Sequence, residues 1–293
     1  MRVEWPTLVL VFACYAAWTA AVFWVADVSV GLAIVLAALT IALHSSLQHE
    51  VTHGHPFNER RLGEFLVFGS LNLAIPYLRF RDTHLAHHMD ATLTDPYEDP
   101  ESNYLDPTVW SRLPTFHRRV LQANNTLLGR MALGPLVGQI AFMVADWRLI
   151  RQGDRAVLAG WLWHLPPTAA ILAIVVASPM PLWGYLIASY LGLSILKIRT
   201  FLEHQAHERA RARTAIIEDR GLLAFLFLNN NLHVVHHMHP KLPWYRLPQI
   251  YFNNRDKYLR RNDGYRYASY GEIFRRHLFR AKDPVPHPLY PDP

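Results

Sequence analysis

The chain has 293 residues, 51% of them hydrophobic, and a formal charge of +6. That length allows one large domain or two small ones, and the single cysteine, Cys14, excludes an internal disulfide and any cysteine-held zinc or iron–sulfur centre. The basic balance suits anionic lipid headgroups; Arg is dispersed and no nucleic-acid motif is present, so a nucleic-acid partner is not expected. Long apolar blocks almost free of charge alternate with polar, basic stretches, the pattern of an integral membrane protein with sizeable aqueous parts.

The first apolar run covers about residues 8–26 and the second about 28–48, with Asp27 marking the turn between them. At a rise of about 1.5 Å per residue, each can cross a hydrocarbon core about 30 Å thick. A cleaved signal peptide fits poorly, because the run is long for one and a second span follows at once. The second run ends in HSSLQHEVTHGHP, residues 44–56. His49 and His53 share a helical face, His44 lies off that stripe, and Gly54 and Pro56 are a helix stop. His44 and His55 are therefore supporting or structural candidates. HExxH is also the zincin signature, but zincins sit in soluble domains and lack the two further clusters found here.

Residues 64–77 form a shorter apolar stretch closed by Pro76, read as an interfacial or re-entrant helix. THLAHHMD follows, with His84, His87 and His88, then a turn-rich acidic segment. Its Asp90, Asp95 and Asp99 can accept hydrogen bonds from ligating imidazoles. Residues 128–145, with three glycines and a proline, are expected to lie in the interface. A third span covers about residues 157–177, kinked by Pro166 and Pro167 with His164 packed beside the kink, and a fourth covers about 182–201. No Lys or Arg lies between Val3 and Glu59 or between Ala156 and Leu196. By the positive-inside rule the two short turns face outward, while both termini and the loop joining the hairpins face the cytoplasm. Every clustered histidine then falls on the cytoplasmic side.

The fourth span leads to His204 and His207, followed by Arg209, Arg211 and Arg213 as headgroup contacts. Residues 229–248, NNNLHVVHHMHPKLPWYRLP, hold His233, His236, His237 and His239 within seven residues. A helical HxxHH unit points three ring nitrogens at one small volume, and neutral imidazole is the commonest protein ligand for mid-row transition metals. The unit occurs twice, at 84–88 and 233–237, which implies more than one metal ion or one site assembled from distant segments. The tail from Ile250 is basic and aromatic, has no haem or flavin motif, and reads as a cap in which His277 is solvated or faces headgroups.

HEVTHGH, HLAHH and HVVHHMHPKLPWYRLP, on two cytoplasm-linked hairpins, resemble the three histidine boxes of the membrane fatty acid desaturase family over residues 44–248. The resemblance implies an all-α integral membrane protein with four transmembrane helices in two hairpins and interfacial helices. A cytoplasmic helical cap, residues 49–156 and 202–293, would carry the boxes, and the whole chain would form a single desaturase-like domain. The resemblance further implies an oxidoreductase that holds two iron ions and uses dioxygen. Electrons would come from a separate redox partner such as a ferredoxin or a cytochrome b5-like protein. The substrate would be a fatty acyl chain (acyl-lipid, acyl-CoA or acyl-carrier-protein), desaturated at the cytoplasmic face of a bacterial inner membrane. Carried over by position, the box ligands are His49 and His53, then His84, His87 and His88, then His233, His236 and His237. His204 takes the family's ligand position at the end of the fourth span, with His207 the fallback, and Asn229, Asn230 and Asn231 are candidates for a water-mediated ligand. The chain departs from many animal and yeast relatives in having three residues, not four, between the first-box histidines, and in lacking a fused cytochrome b5 domain.

Breaking an unactivated methylene C–H bond needs a cofactor, because no side chain is a strong enough oxidant. Soluble di-iron bundles use Glu and Glu-x-x-His, so an all-histidine set marks a different class. Relatives that hydroxylate or ketolate lipids, alkanes or carotenoids share this scaffold, and the ligands alone leave that alternative open. A metal transporter or a bis-histidine haem carrier would place its ligands at mid-membrane or across facing helices, whereas these clusters lie outside the spans.

Overall fold

The computed structural model describes residues 3–89 and 91–291. The chain is all-α as expected: among the described residues the only sheet pairs two-residue strands, Ile216–Ile217 and Arg266–Tyr267, in parallel. Two compact units can be distinguished. One comprises the residues up to Asp82 together with Pro135–Leu196; the other comprises Thr83–Gly134 and the chain from Lys197 onward.

In the first unit, helix Trp5–Val28 contains one π-helical turn at Ala21–Val25 and packs on helix Val30–Thr52. Ser29, rather than Asp27, separates them: its backbone is extended and its hydroxyl accepts the Leu32 N–H at 3.3 Å, capping the second helix. Small residues allow close approach. Ala33, Ala37 and Ala38 are buried, and a Cβ on Gly192 of helix Leu182–Thr200 would lie 2.7 Å from Ile41 Cγ2. The core also takes in Trp18, Ile171, Met180 and Tyr185. The polar tips buried there are satisfied: Trp18 Nε1 donates to the Tyr185 hydroxyl (3.1 Å), which donates to the Leu71 carbonyl (2.8 Å).

Among the described residues, four helices are long and apolar enough to cross a membrane: Trp5–Val28, Val30–Thr52, Leu127–Arg151 and Arg155–Val176. Residues 128–145, expected to lie in the interface, belong to a continuous 25-residue helix that runs through Pro135 and is long and apolar enough to cross a membrane. Glycine and proline do not break such a helix, because the freed backbone groups find local partners. The expected fourth span does form a 19-residue helix, Leu182–Thr200, but Lys197 and Arg199 occupy its last turn and it is not one of the four. Leu136, Ile140, Met143 and Trp147 on one helix, and Leu158, Leu162, Trp163 and Leu165 on the next, present exposed apolar faces that suit lipid.

Residues 64–77 are also corrected. Only Arg60–Val67 is helical; a turn follows in which Asn72 Oδ1 accepts the N–H groups of Ala74 and Ile75, both at 2.9 Å. This side-chain acceptor offers the backbone an alternative to helix. Helix Tyr77–His87 comes next. Its Arg79 forms a bidentate pair with Asp146 (both contacts 2.9 Å), to which Trp161 also donates at 2.8 Å. Gly160 makes room, since a Cβ there would fall 3.0 Å from Arg79 Cδ. Helix Arg155–Val176 runs through both prolines, and His164 donates from Nε2 to the Leu73 carbonyl at 3.0 Å, the structural role expected of it.

The second unit is built of short helices. Ile216, Leu232, Val234, Val235, Leu247, Tyr251 and Tyr258 form one core cluster. Helix His233–Met238 lays Val234 and Val235 onto it, which turns His233, His236 and His237 away from that core.

Candidate metal centre

In the second unit, His84 and His87 occupy the last turn of helix Tyr77–His87, and His88 follows with its N–H on the His84 carbonyl. His204 comes after helix Leu182–Thr200, held in an isolated bridge to Thr214. These segments converge with helix His233–Met238. His87 Nε2 is 2.9 Å from His204 Nε2, which is 3.1 Å from His233 Nε2. With His237, one ring nitrogen from each of these residues lies within 4.8 Å of the others. A second set sits beside it: His88 Nε2 is 3.0 Å from His84 Nε2 and 3.1 Å from His236 Nε2.

The HxxHH units therefore do not aim all three rings at one point, as their spacing suggests. Each is split. His84 and His88 go to one set and His87 to the other; His233 and His237 go to one set and His236 to the other. Successive residues of a helix turn by about 100°, so positions four apart diverge by only about 40° while the third lies about 60° to the other side. The i,i+4 pairs stay together and the middle histidine reaches across.

The outer nitrogens are fixed by acceptors. His87 Nδ1–H donates to Asp99 Oδ1 (2.7 Å), His84 Nδ1–H to Glu101 Oε1 (3.0 Å), and His233 Nδ1–H to Asn230 Oδ1 (3.0 Å). A carboxylate or amide oxygen can only accept, so Nδ1 carries a proton and Nε2 faces inward, its lone pair available to a metal in the neutral ring. An imidazole–metal bond of about 2.1 Å puts neighbouring ligand nitrogens about 3 Å apart, which matches the observed separations. Inward lone pairs at that spacing repel one another unless a cation lies among them. The donor set is all imidazole, which suits iron, zinc, copper or nickel.

Electrostatics follow from burial and the outer carboxylates. Burial opposes charge on His87, but Glu101 and Asp99 outweigh it and raise its pKa to about 9. Burial pushes Glu101 up, yet His87 and His84 hold it well below the usual carboxylate range. Burial also raises Glu203, against the pull of Arg199 at 3.1 Å. His204 and His233 are kept well below the usual imidazole value, by burial first and then by neighbouring histidines. A metal entering this site displaces protons as it binds.

A fatty acid desaturase family model matches residues 24–269. The chain belongs to the fatty acid desaturase family. No curated protein matches it. Family membership makes it a desaturase-type oxidoreductase, and its four apolar helices fit a membrane protein. Its histidine clusters are compatible with metal binding.

In this desaturase-family chain, the remaining site candidates fall as follows. His49 lies in the last turn of helix Val30–Thr52 and His53 at its C-cap, in the first unit, with ring centroids 5.0 Å apart. Asp99 holds a histidine as expected. Asp95 does not: it caps a local turn by accepting the Tyr97 and Glu98 N–H groups, because those donors are nearer. Asp90 lies outside the described residues. Asn230 bridges His233 and Glu203, its Nδ2 donating to Glu203 Oε1 at 3.1 Å. Asn229 and Asn231 are used elsewhere, donating to the Trp244 carbonyl and to the Ile217 and Asp219 carbonyls. His207 is half-buried and its Nδ1 accepts the Arg209 N–H. His44 meets the Tyr15 hydroxyl (2.9 Å), His55 meets Glu4 (2.6 Å), and His239 lies edge-on to Tyr258. His277 is not simply solvated: its Nε2 is 3.1 Å from the Tyr267 hydroxyl and its ring packs on Phe201.

Sequence reasoning missed Glu101 and Glu203. Glu101 reaches back 17 positions through a folded loop, which no local spacing reveals. Glu203 immediately precedes His204, and that adjacency was its only signal.

Proposed function

We propose that this desaturase-family protein holds two iron ions through its histidines and uses dioxygen with two electrons to introduce a double bond into a fatty acyl chain. The observation that supports this reading is the arrangement of inward Nε2 atoms in two neighbouring sets, with outer nitrogens held by Asp99, Glu101 and Asn230. One ion would be held by His87, His204, His233 and His237, and the other by His84, His88 and His236. The family resemblance gives His49 and His53 as further box ligands. Bound iron supplies the oxidising power for C–H cleavage that side chains lack.

The chain's own residues do the positioning. Asp99 and Glu101 keep the outer protons of His87 and His84 and fix their ring planes. Asn230 fixes His233 and is itself tied to Glu203, which pairs with Arg199. The reaction balances as a saturated acyl chain, dioxygen, two electrons and two protons giving the alkene and two waters. The family resemblance points to a separate electron donor, a ferredoxin or cytochrome b5-like protein. The Arg- and Lys-free window between Val3 and Glu59, which holds the turn between helices Trp5–Val28 and Val30–Thr52, supports placing that turn outside and the histidines on the cytoplasmic side, at a bacterial inner membrane.

The test is elemental analysis and product identification on one purified preparation, with a donor system and saturated acyl lipid. Two iron ions per chain and a product lacking two hydrogens are expected. A product that gains one oxygen would reassign the protein as a hydroxylase. A single ion at saturation would refute the di-iron reading, as would haem absorbance or zinc bound without iron.

A further inference from the structure

Asp99 is held on its far side by residues outside the histidine sets. Its Oδ1 accepts from His87, and its Oδ2 accepts the Thr94 N–H at 2.8 Å. Thr94 has φ +70°, a left-handed conformation that a β-branched residue rarely adopts. Such a backbone persists only where its surroundings hold it. Two side chains in the second unit do so. The Ser102 hydroxyl donates to the Thr94 carbonyl at 2.9 Å, and His287 Nε2 lies 3.4 Å from Thr94 Oγ1.

His287 is itself fixed in place. Its backbone N–H donates to the Leu105 carbonyl at 2.8 Å, and the Leu105 N–H donates to the Val285 carbonyl at 3.0 Å. The tail thus runs alongside the loop that carries Asp99 and Glu101. The His287 ring is 5% exposed and stands edge-on to Tyr104 and Tyr290, with both centroid separations 5.0 Å. The two tyrosines tie the same segments together, Tyr104 donating to Asp283 and Tyr290 to Asp95. His287 Nδ1 accepts the Leu289 N–H at 3.2 Å. In the neutral ring the proton is therefore on Nε2 and is donated to the Thr94 hydroxyl. A continuous line of contacts runs from His287 through Thr94 and Asp99 to His87.

We propose, on the reading that His87 binds a metal ion, that His287 is a positioning residue for the four-histidine set. Its Nε2–H holds Thr94 in the left-handed conformation, and the Thr94 N–H then aims Asp99 at His87. The test is iron(II) titration of the metal-free full chain, with thermal unfolding of the same samples. His287→Phe keeps a ring between Tyr104 and Tyr290 but has no donor. It should fold and hold one ion about tenfold more weakly, the low end of the range for an outer partner of a ligating histidine, while the other ion binds as before. His287→Gln, whose amide nitrogen reaches the place of Nε2, should restore the affinity although it lacks the ring. Thr94→Val removes the hydroxyl and should match His287→Phe, and the double variant should be no weaker than either, because both break one link. Unchanged affinity in a folded His287→Phe protein would overturn the proposal. So would equal weakening by His287→Gln and His287→Phe, or additive losses in the double variant. No metal uptake by the unmodified chain would refute the metal reading of His87, and this inference with it.

Discussion

Replacing Asp99 by alanine tests whether the outer carboxylates set the metal centre. Asp99 is 5% exposed and accepts three hydrogen bonds: from His87 Nδ1 at 2.7 Å, Glu101 N at 2.9 Å and Thr94 N at 2.8 Å. Loss of an outer partner to a ligating histidine weakens metal binding about 10–100-fold, or about 1.4–2.7 kcal/mol. The two backbone donors left behind add about 1–3 kcal/mol each to the cost of folding if water does not reach them. Asp99→Asn separates these effects, because its Oδ1 keeps the His87 and Glu101 contacts while its amide nitrogen opposes the Thr94 N–H. Iron affinity is read by titration of the metal-free protein, and stability by thermal unfolding of the same samples. The alanine variant should lose affinity by 10–100-fold, and the asparagine variant should lose mainly stability. A folded Asp99→Ala protein that binds iron as tightly as the unmodified chain would refute the reasoning.

His237→Ala should remove iron and abolish turnover, and His204→Ala should do the same, because each belongs to the four-histidine set; iron content and product formation are measured together. His277→Ala should keep iron and activity and lose only about 0.5–1.5 kcal/mol of stability through its bond to Tyr267, and loss of iron in that variant would contradict the assignment. Arg79→Ala strands Asp146 in the first unit and should destabilise the fold by about 3–5 kcal/mol, whereas Arg79→Met with Asp146→Leu should recover most of it; equal melting temperatures for the single and double variants would count against a buried ion pair. Burial disfavours charge on His55, but Glu4 and Glu50 outweigh it, so its pKa lies above the ordinary 6.5. Its contribution is thus fully present below pH 6.5 and is lost as pH rises through the raised folded value. Melting temperature should fall over that alkaline range less steeply in His55→Gln, and identical slopes would exclude the effect.

Much was legible in the sequence because it is local. Apolar runs identified the helices Trp5–Val28, Val30–Thr52 and Arg155–Val176, and repeated HxxHH spacing pointed to histidines that cluster, since both depend on neighbours within a turn or two of helix. Gly54 and Pro56 marked the end of the helix that carries His49 for the same reason. Helix Leu127–Arg151 was legible only as an apolar segment of residues 128–145; that it runs unbroken through its glycines and Pro135 is decided by the tertiary setting. Only the folded chain could decide which histidines come together. His87 joins His204, 117 positions away, rather than its neighbours His84 and His88, and His236 joins His88 across 148 positions. Local spacing sets the angle at which each ring leaves its helix. What lies along that direction, a second ring nitrogen or the oxygen of Asp99 or Glu101, depends on how distant segments pack, and no periodicity in the chain encodes it.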